Sequence, residues 1–100
     1  MIANPHHITL AAAAELTKNF RDTNPGEILA GRFSKAAVEE LFLDPLSVGM
    51  RVYNGINAAG EQSLVLVGVD AAGNDLYNGP LEDYWRTSPP ETIAPNPLNS

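Results

Sequence analysis

Apolar side chains repeat at a helical interval through the first part of the chain and at a two-residue interval further on. Ala12, Ala13, Leu16 and Phe20 share one face of the run Leu10 to Arg21, while Glu15, Lys18 and Asn19 fall elsewhere. Thr9 is placed to accept from the free amides of the first turn, and the four alanines that follow Leu10 favour helix. The stripe therefore predicts a core-facing helix whose small residues admit a close neighbour. Asp22-Thr23-Asn24-Pro25-Gly26 concentrates turn formers and ends it. Ile28-Leu29-Ala30 is apolar but too short to assign. A second helix is predicted from Lys35 to Leu43, capped by Ser34, with Phe33 and Val38 placed as a hydrophobic staple. Val38, Leu41 and Phe42 form its expected buried face, Glu39 and Glu40 face water, and Pro45 stops it after Asp44.

From Val48 the period changes to two. Val48, Met50, Val52 and Asn54 alternate with Gly49, Arg51, Tyr53 and Gly55, which predicts a half-buried strand. Gln62 to Val69 carries a continuous apolar run, Leu64-Val65-Leu66-Val67, expected of a central strand covered on both faces. Asn57-Ala58-Ala59-Gly60-Glu61 and Asp70-Ala71-Ala72-Gly73-Asn74 repeat one pattern, a type I turn followed by a glycine-containing bulge. Two such turns around one apolar strand imply an antiparallel meander. Its third strand is expected to begin at Asp75-Leu76-Tyr77, and Leu81 to Thr87 supplies a short edge strand after a turn at Asn78-Gly79-Pro80. The fold expected is thus α+β: two N-terminal helices packed on a three- to four-stranded antiparallel β-meander. Residues 1–88 form a single domain in this reading, and 89–100 a proline-rich extended tail.

Composition narrows the functions available. With 44% hydrophobic and 18% charged residues the chain has an ordinary globular balance, so it is expected to fold. The net charge is −6, and beyond position 50 the basic residues are Arg51 and Arg86 alone. Nucleic-acid binding relies on clustered Lys and Arg, so neither nucleic acid nor an anionic membrane surface is an expected partner. The chain has no cysteine, which removes disulfides, thiolate metal sites and thiol nucleophiles. No signal-peptide pattern opens the sequence and no apolar run approaches a bilayer span, so a soluble cytoplasmic protein is expected.

Candidate chemistry is sparse. His6 and His7 are adjacent in a polar terminus, where their imidazoles diverge and spacing places no third ligand beside them. Asp70, Asn74 and Asp75 lack the ligand alternation and distant glutamate of a calcium loop, and a hairpin turn accounts for them. Glu39-Glu40 and Glu82-Asp83 are carboxylate pairs, but sequence neighbours point apart on a helix or strand. No Ser, His and Asp arrangement suggests a hydrolase, and Gly55, Gly60 and Gly68 form no phosphate loop. No metal or cofactor is expected, and the pattern leans away from catalysis. The aromatic residues Tyr53, Tyr77, Tyr84 and Trp85 stand out instead, the last two beside the expected edge strand and the tail. With Pro89, Pro90 and Ile93 they make a candidate interface, because aromatics at a sheet edge commonly anchor partners. The competing reading is that they close one end of the core.

The block Val48-Gly49-Met50-Arg51-Val52-Tyr53-Asn54-Gly55, with Leu64 to Asp75, resembles a family of small uncharacterised bacterial proteins, chiefly from Bacteroidetes. The likeness extends to Leu16 to Arg21 and to Phe33-Ser34-Lys35. Such proteins often end in a proline-rich segment containing cysteine; Ser88-Pro89-Pro90 keeps the prolines without it. The resemblance implies a bacterial origin and one compact domain, and no activity.

The leading expectation is a non-catalytic interaction or assembly module that contacts another chain, including a like one, through a sheet edge and the C-terminal tail. Two alternatives are a small-molecule binder or minor enzyme with a pocket between helix one and the sheet, and an acidic inhibitor or accessory protein.

Overall fold

Helix α1 spans Leu10–Thr23, and Thr9 caps it as expected: its Oγ1 accepts from the Ala12 amide at 3.1 Å. Asn24 closes the other end by donating its backbone N–H to the Phe20 carbonyl at 2.9 Å. Helix α2 spans Lys35–Leu41, with the Ser34 hydroxyl accepting from the Ala37 amide at 3.1 Å. It stops two residues short of the expected end, because Phe42 and Leu43 already turn with bonds to the Glu39 and Glu40 carbonyls. The strands are β1 (Ala30–Arg32), β2 (Gly49–Ile56), β3 (Gln62–Val69), β4 (Leu81–Glu82) and β5 (Arg86–Ser88). These elements come from a computed structural model that describes residues 4–83, 85–88 and 92–99, with only the backbone of Arg86 and Ser88. The architecture is α+β, with an antiparallel sheet ordered β2-β3-β4 and a two-stranded sheet of β1 and β5.

Contacts divide the chain into two compact units, Met1–Ala30 with Thr87–Ser100, and Gly31–Arg86. In the first, Arg21 of α1 donates to the Leu98 carbonyl at 2.9 Å. The last described residues fold on themselves there: Asn96 Oδ1 accepts from the Leu98 amide and Asn99 Oδ1 from the Asn96 amide. Asparagine supplies side-chain acceptors that replace the backbone bonds a proline-rich segment cannot make. No residue of α1 is buried, and Leu16 is 62% exposed. The stripe read from the sequence as core is therefore amphipathic but uncovered.

The second unit is built on the β2–β3 hairpin. Asn57 and Asp70 each fold a turn in the same way. Asn57 Oδ1 accepts from the amides of Ala59 and Glu61, and Asp70 Oδ1 from those of Ala72 and Asn74. The glycines that complete the two turns, Gly60 and Gly73, have φ of 80° and 83°, a region side chains with a Cβ avoid. β3 is the middle strand, and both faces of it contribute to the core: Leu66 and Gly68 on one, Ser63 and Val67 on the other. α2 lies over the first face, where the Leu41 carbonyl stands 3.3 Å from the position of a Cβ on Gly68.

The third strand departs from the expected one. Asp75 bridges Val69 and Leu76 donates to the Gly68 carbonyl, so pairing starts where expected. Val67 would next meet Tyr77, but a turn closed by Gly79 N–H to the Leu76 carbonyl intervenes, and Val67 meets Leu81 four residues further on. The turn formers at 78–80 thus interrupt the strand, and β4 is what remains. β2 departs in another way. It was expected to be half-buried, yet six of its eight residues are exposed.

Candidate interaction surface

β2 occupies an edge of its sheet. Which backbone groups it presents there follows from the ladder. Asn57 donates to the Glu61 carbonyl, and hydrogen-bonded and non-hydrogen-bonded pairs alternate along antiparallel strands. Gly55, Tyr53 and Arg51 therefore bond to β3 through their pairs Ser63, Val65 and Val67. Met50, Val52, Asn54 and Ile56 turn their N–H and C=O groups away, toward the open side. An independent bond agrees: Gly68, the partner of Met50, directs its carbonyl away from β2 to Leu76.

The side chains of the same residues are largely apolar and uncovered. Val52 is 47% and Ile56 79% exposed, with Met50 similar to Val52. On the opposite face Arg51 and Tyr53 converge on one carboxylate. Arg51 Nη1 donates to Asp75 Oδ1, Tyr53 Oη donates to Asp75 Oδ2, and Arg51 Nη2 reaches the Gly73 carbonyl at 3.1 Å. The Tyr53 oxygen first, and then the Asp75 charge, hold the Arg51 guanidinium even more firmly protonated than usual. The charge of β2 is thus compensated within the unit. The sequence places Asp75 at the start of the third strand but does not show its contact with Arg51 and Tyr53. The signal that could have found it is the pairing of the second hairpin, which carries Asp75 opposite Val69 and onto the face of Arg51 and Tyr53.

Trp85 belongs to the same unit and stacks on Phe33, with ring centroids 6.4 Å apart and planes inclined by 28°. Gly31 lies against its ring. Tyr77 is 70% exposed in the turn that interrupts the third strand. Ile93 is exposed and falls in the other unit. Tyr84, Pro89 and Pro90 lie outside the described residues. The structure thus places Tyr53 at the β2 edge and Trp85 on Phe33, each with a different neighbourhood.

A pair of carboxylates distant in sequence meets between α2 and β4. Glu82 Oε1 is shielded from solvent without a hydrogen-bond partner, and burial first, then the negative charge of Glu40, raises the Glu82 pKa above its ordinary value. On the other face of the sheet the Ser63 hydroxyl donates to Asp83 at 2.5 Å. Neither contact assembles a nucleophile with a base and an acceptor for developing charge. No group of three or more metal-ligating side chains occurs among the described residues, and no described helix is long and apolar enough to cross a membrane.

Fold and surface together define a small α+β protein with an open strand edge. Comparison with family models, curated proteins and solved structures returned no match.

Proposed function

We propose that this protein is a non-catalytic interaction and assembly module that binds another protein chain, a like chain included. The observation that carries this reading is the contrast between core and surface. Leu41, Leu66 and Val67 are the buried hydrophobic residues among those described, while large apolar side chains from Leu43 to Leu81 stand exposed. Monomeric soluble proteins rarely leave extensive apolar surface uncovered, and such surface marks interaction sites. The open β2 edge supplies the directional part, since unpaired N–H and C=O groups accept a further strand. The acidic balance argues against a nucleic-acid partner.

Native mass spectrometry of the protein isolated gently from its host tests the proposal. A multiple of 10.7 kDa, or a stoichiometric foreign chain, is expected. A bare monomer under conditions that preserve known weak complexes sinks it, and a monomer carrying a discrete small ligand moves the assignment to small-molecule binding.

A further inference from the structure

Resting on the assembly reading, we infer that the occupant of the β2 edge is β2 of a second copy of this chain, paired antiparallel about a two-fold axis at Tyr53.

The register follows from the strand itself. In a symmetric antiparallel pair, residues equally far from the axis face each other. With the axis at Tyr53, Val52 faces Asn54 of the other copy and Met50 faces Ile56. These four residues are the ones whose N–H and C=O point outward, so every outward group from position 50 to 56 finds a partner. An axis at Val52 would instead leave Ile56 opposite Val48, where the ladder is irregular because the Val48 amide already bonds the Val69 carbonyl.

Side chains agree with that register. Met50 against Ile56 joins exposed apolar groups. Tyr53 faces its counterpart at a non-hydrogen-bonded position, where the Cβ atoms of paired residues approach most closely, while each phenol stays on Asp75 of its own copy. Arg51 faces Gly55 of the other copy, so no like charges oppose each other. Arg51 is the sole charged side chain of β2, and Asp75 already pairs it. Two copies of a chain with net charge −6 repel, and β2 is a surface where that acidity is absent. A strand of eight residues extends roughly 27 Å at about 3.4 Å per residue.

The test uses the full chain, which has no cysteine of its own. Sedimentation equilibrium of the wild type should report a dimer. Val52→Pro removes one outward N–H from each copy, and proline is tolerated in an edge strand whose N–H faces outward. It should keep its far-ultraviolet circular dichroism and raise the dimer dissociation constant by at least about tenfold. Tyr53→Cys should form a disulfide-linked dimer under mild oxidation, while Ile56→Cys, far from its own counterpart in this register, should not. If the wild type is dimeric but folded Val52→Pro remains so, or Tyr53→Cys fails to cross-link, the β2 pairing is overturned while assembly through another surface stands. A monomeric wild type that associates with a different chain also overturns it, and a wild type that is monomeric alone and in its host overturns both readings. Should Val52→Pro fail to fold, the two cysteine variants decide.

Discussion

Gly31 lies so close to Trp85 that a Cβ on it would come within 2.1 Å of the indole Cε3. A real Cβ cannot occupy that space, and the ring is already stacked on Phe33, so relief requires moving the indole. Gly31→Ala is expected to destabilise the protein by about 1–3 kcal/mol, as overpacking does. The single tryptophan makes its emission a direct readout. An unchanged spectrum and melting temperature would show that the stack yields without cost.

Gly68 occupies a comparable position in the middle strand. A Cβ there meets the Leu41 carbonyl and Ser47 Oγ at 3.3 Å each, and the first of these is backbone. Gly68→Val adds two further methyl groups to that contact and should cost about 2–3 kcal/mol in a denaturant titration. The result separates a tight α2–sheet contact from a loose one.

Stability should depend on pH through Glu82. Its folded-state pKa is raised, chiefly by burial and then by the charge of Glu40. The folded protein therefore holds a proton that the unfolded chain loses near its ordinary value of about 4.3. That contribution is fully present below the unfolded value and is lost as pH rises through the folded one. Glu82→Gln should flatten this part of the stability profile and raise stability at neutral pH by on the order of 1 kcal/mol, by relieving a shielded oxygen without a partner. Parallel thermal melts of both proteins from pH 4 to 7 would check it, and identical profiles would contradict the contact.

Asp75→Ala removes the acceptor shared by Arg51 and Tyr53. Arg51 is well exposed, so water replaces the lost bonds and the melting temperature should change little. The change uncovers the charge of Arg51 at the β2 edge, so the salt dependence of self-association should increase while the fold survives. Sedimentation at two ionic strengths measures this.

Local chemistry made much of the fold legible. Thr9 and Ser34 cap helices because a hydroxyl before a helix-forming run satisfies amides that have no other partner. Asn57 with Gly60, and Asp70 with Gly73, fix two like turns through side-chain acceptors and positive φ; the first sets the β2–β3 register and the second the pairing of Asp75 with Val69. The continuous apolar run of β3 marked a strand with buried residues on both faces, and β3 is the middle strand of its sheet. Each of these signals acts over a few residues, so sequence suffices to read it.

Tertiary structure decided what those elements cover. The stripe of α1 had a core-like pattern, yet Leu16 and Phe20 are exposed, since periodicity shows that a face is apolar without showing what meets it. The shift that brings Leu81 rather than Tyr77 to Val67 depends on a turn competing with a ladder. The meetings of Glu40 with Glu82, and of Arg51 and Tyr53 with Asp75, join residues more than twenty positions apart. Sequence determined the units of this protein; packing alone determined their neighbours, because a side chain's partners are set by the path of the whole chain.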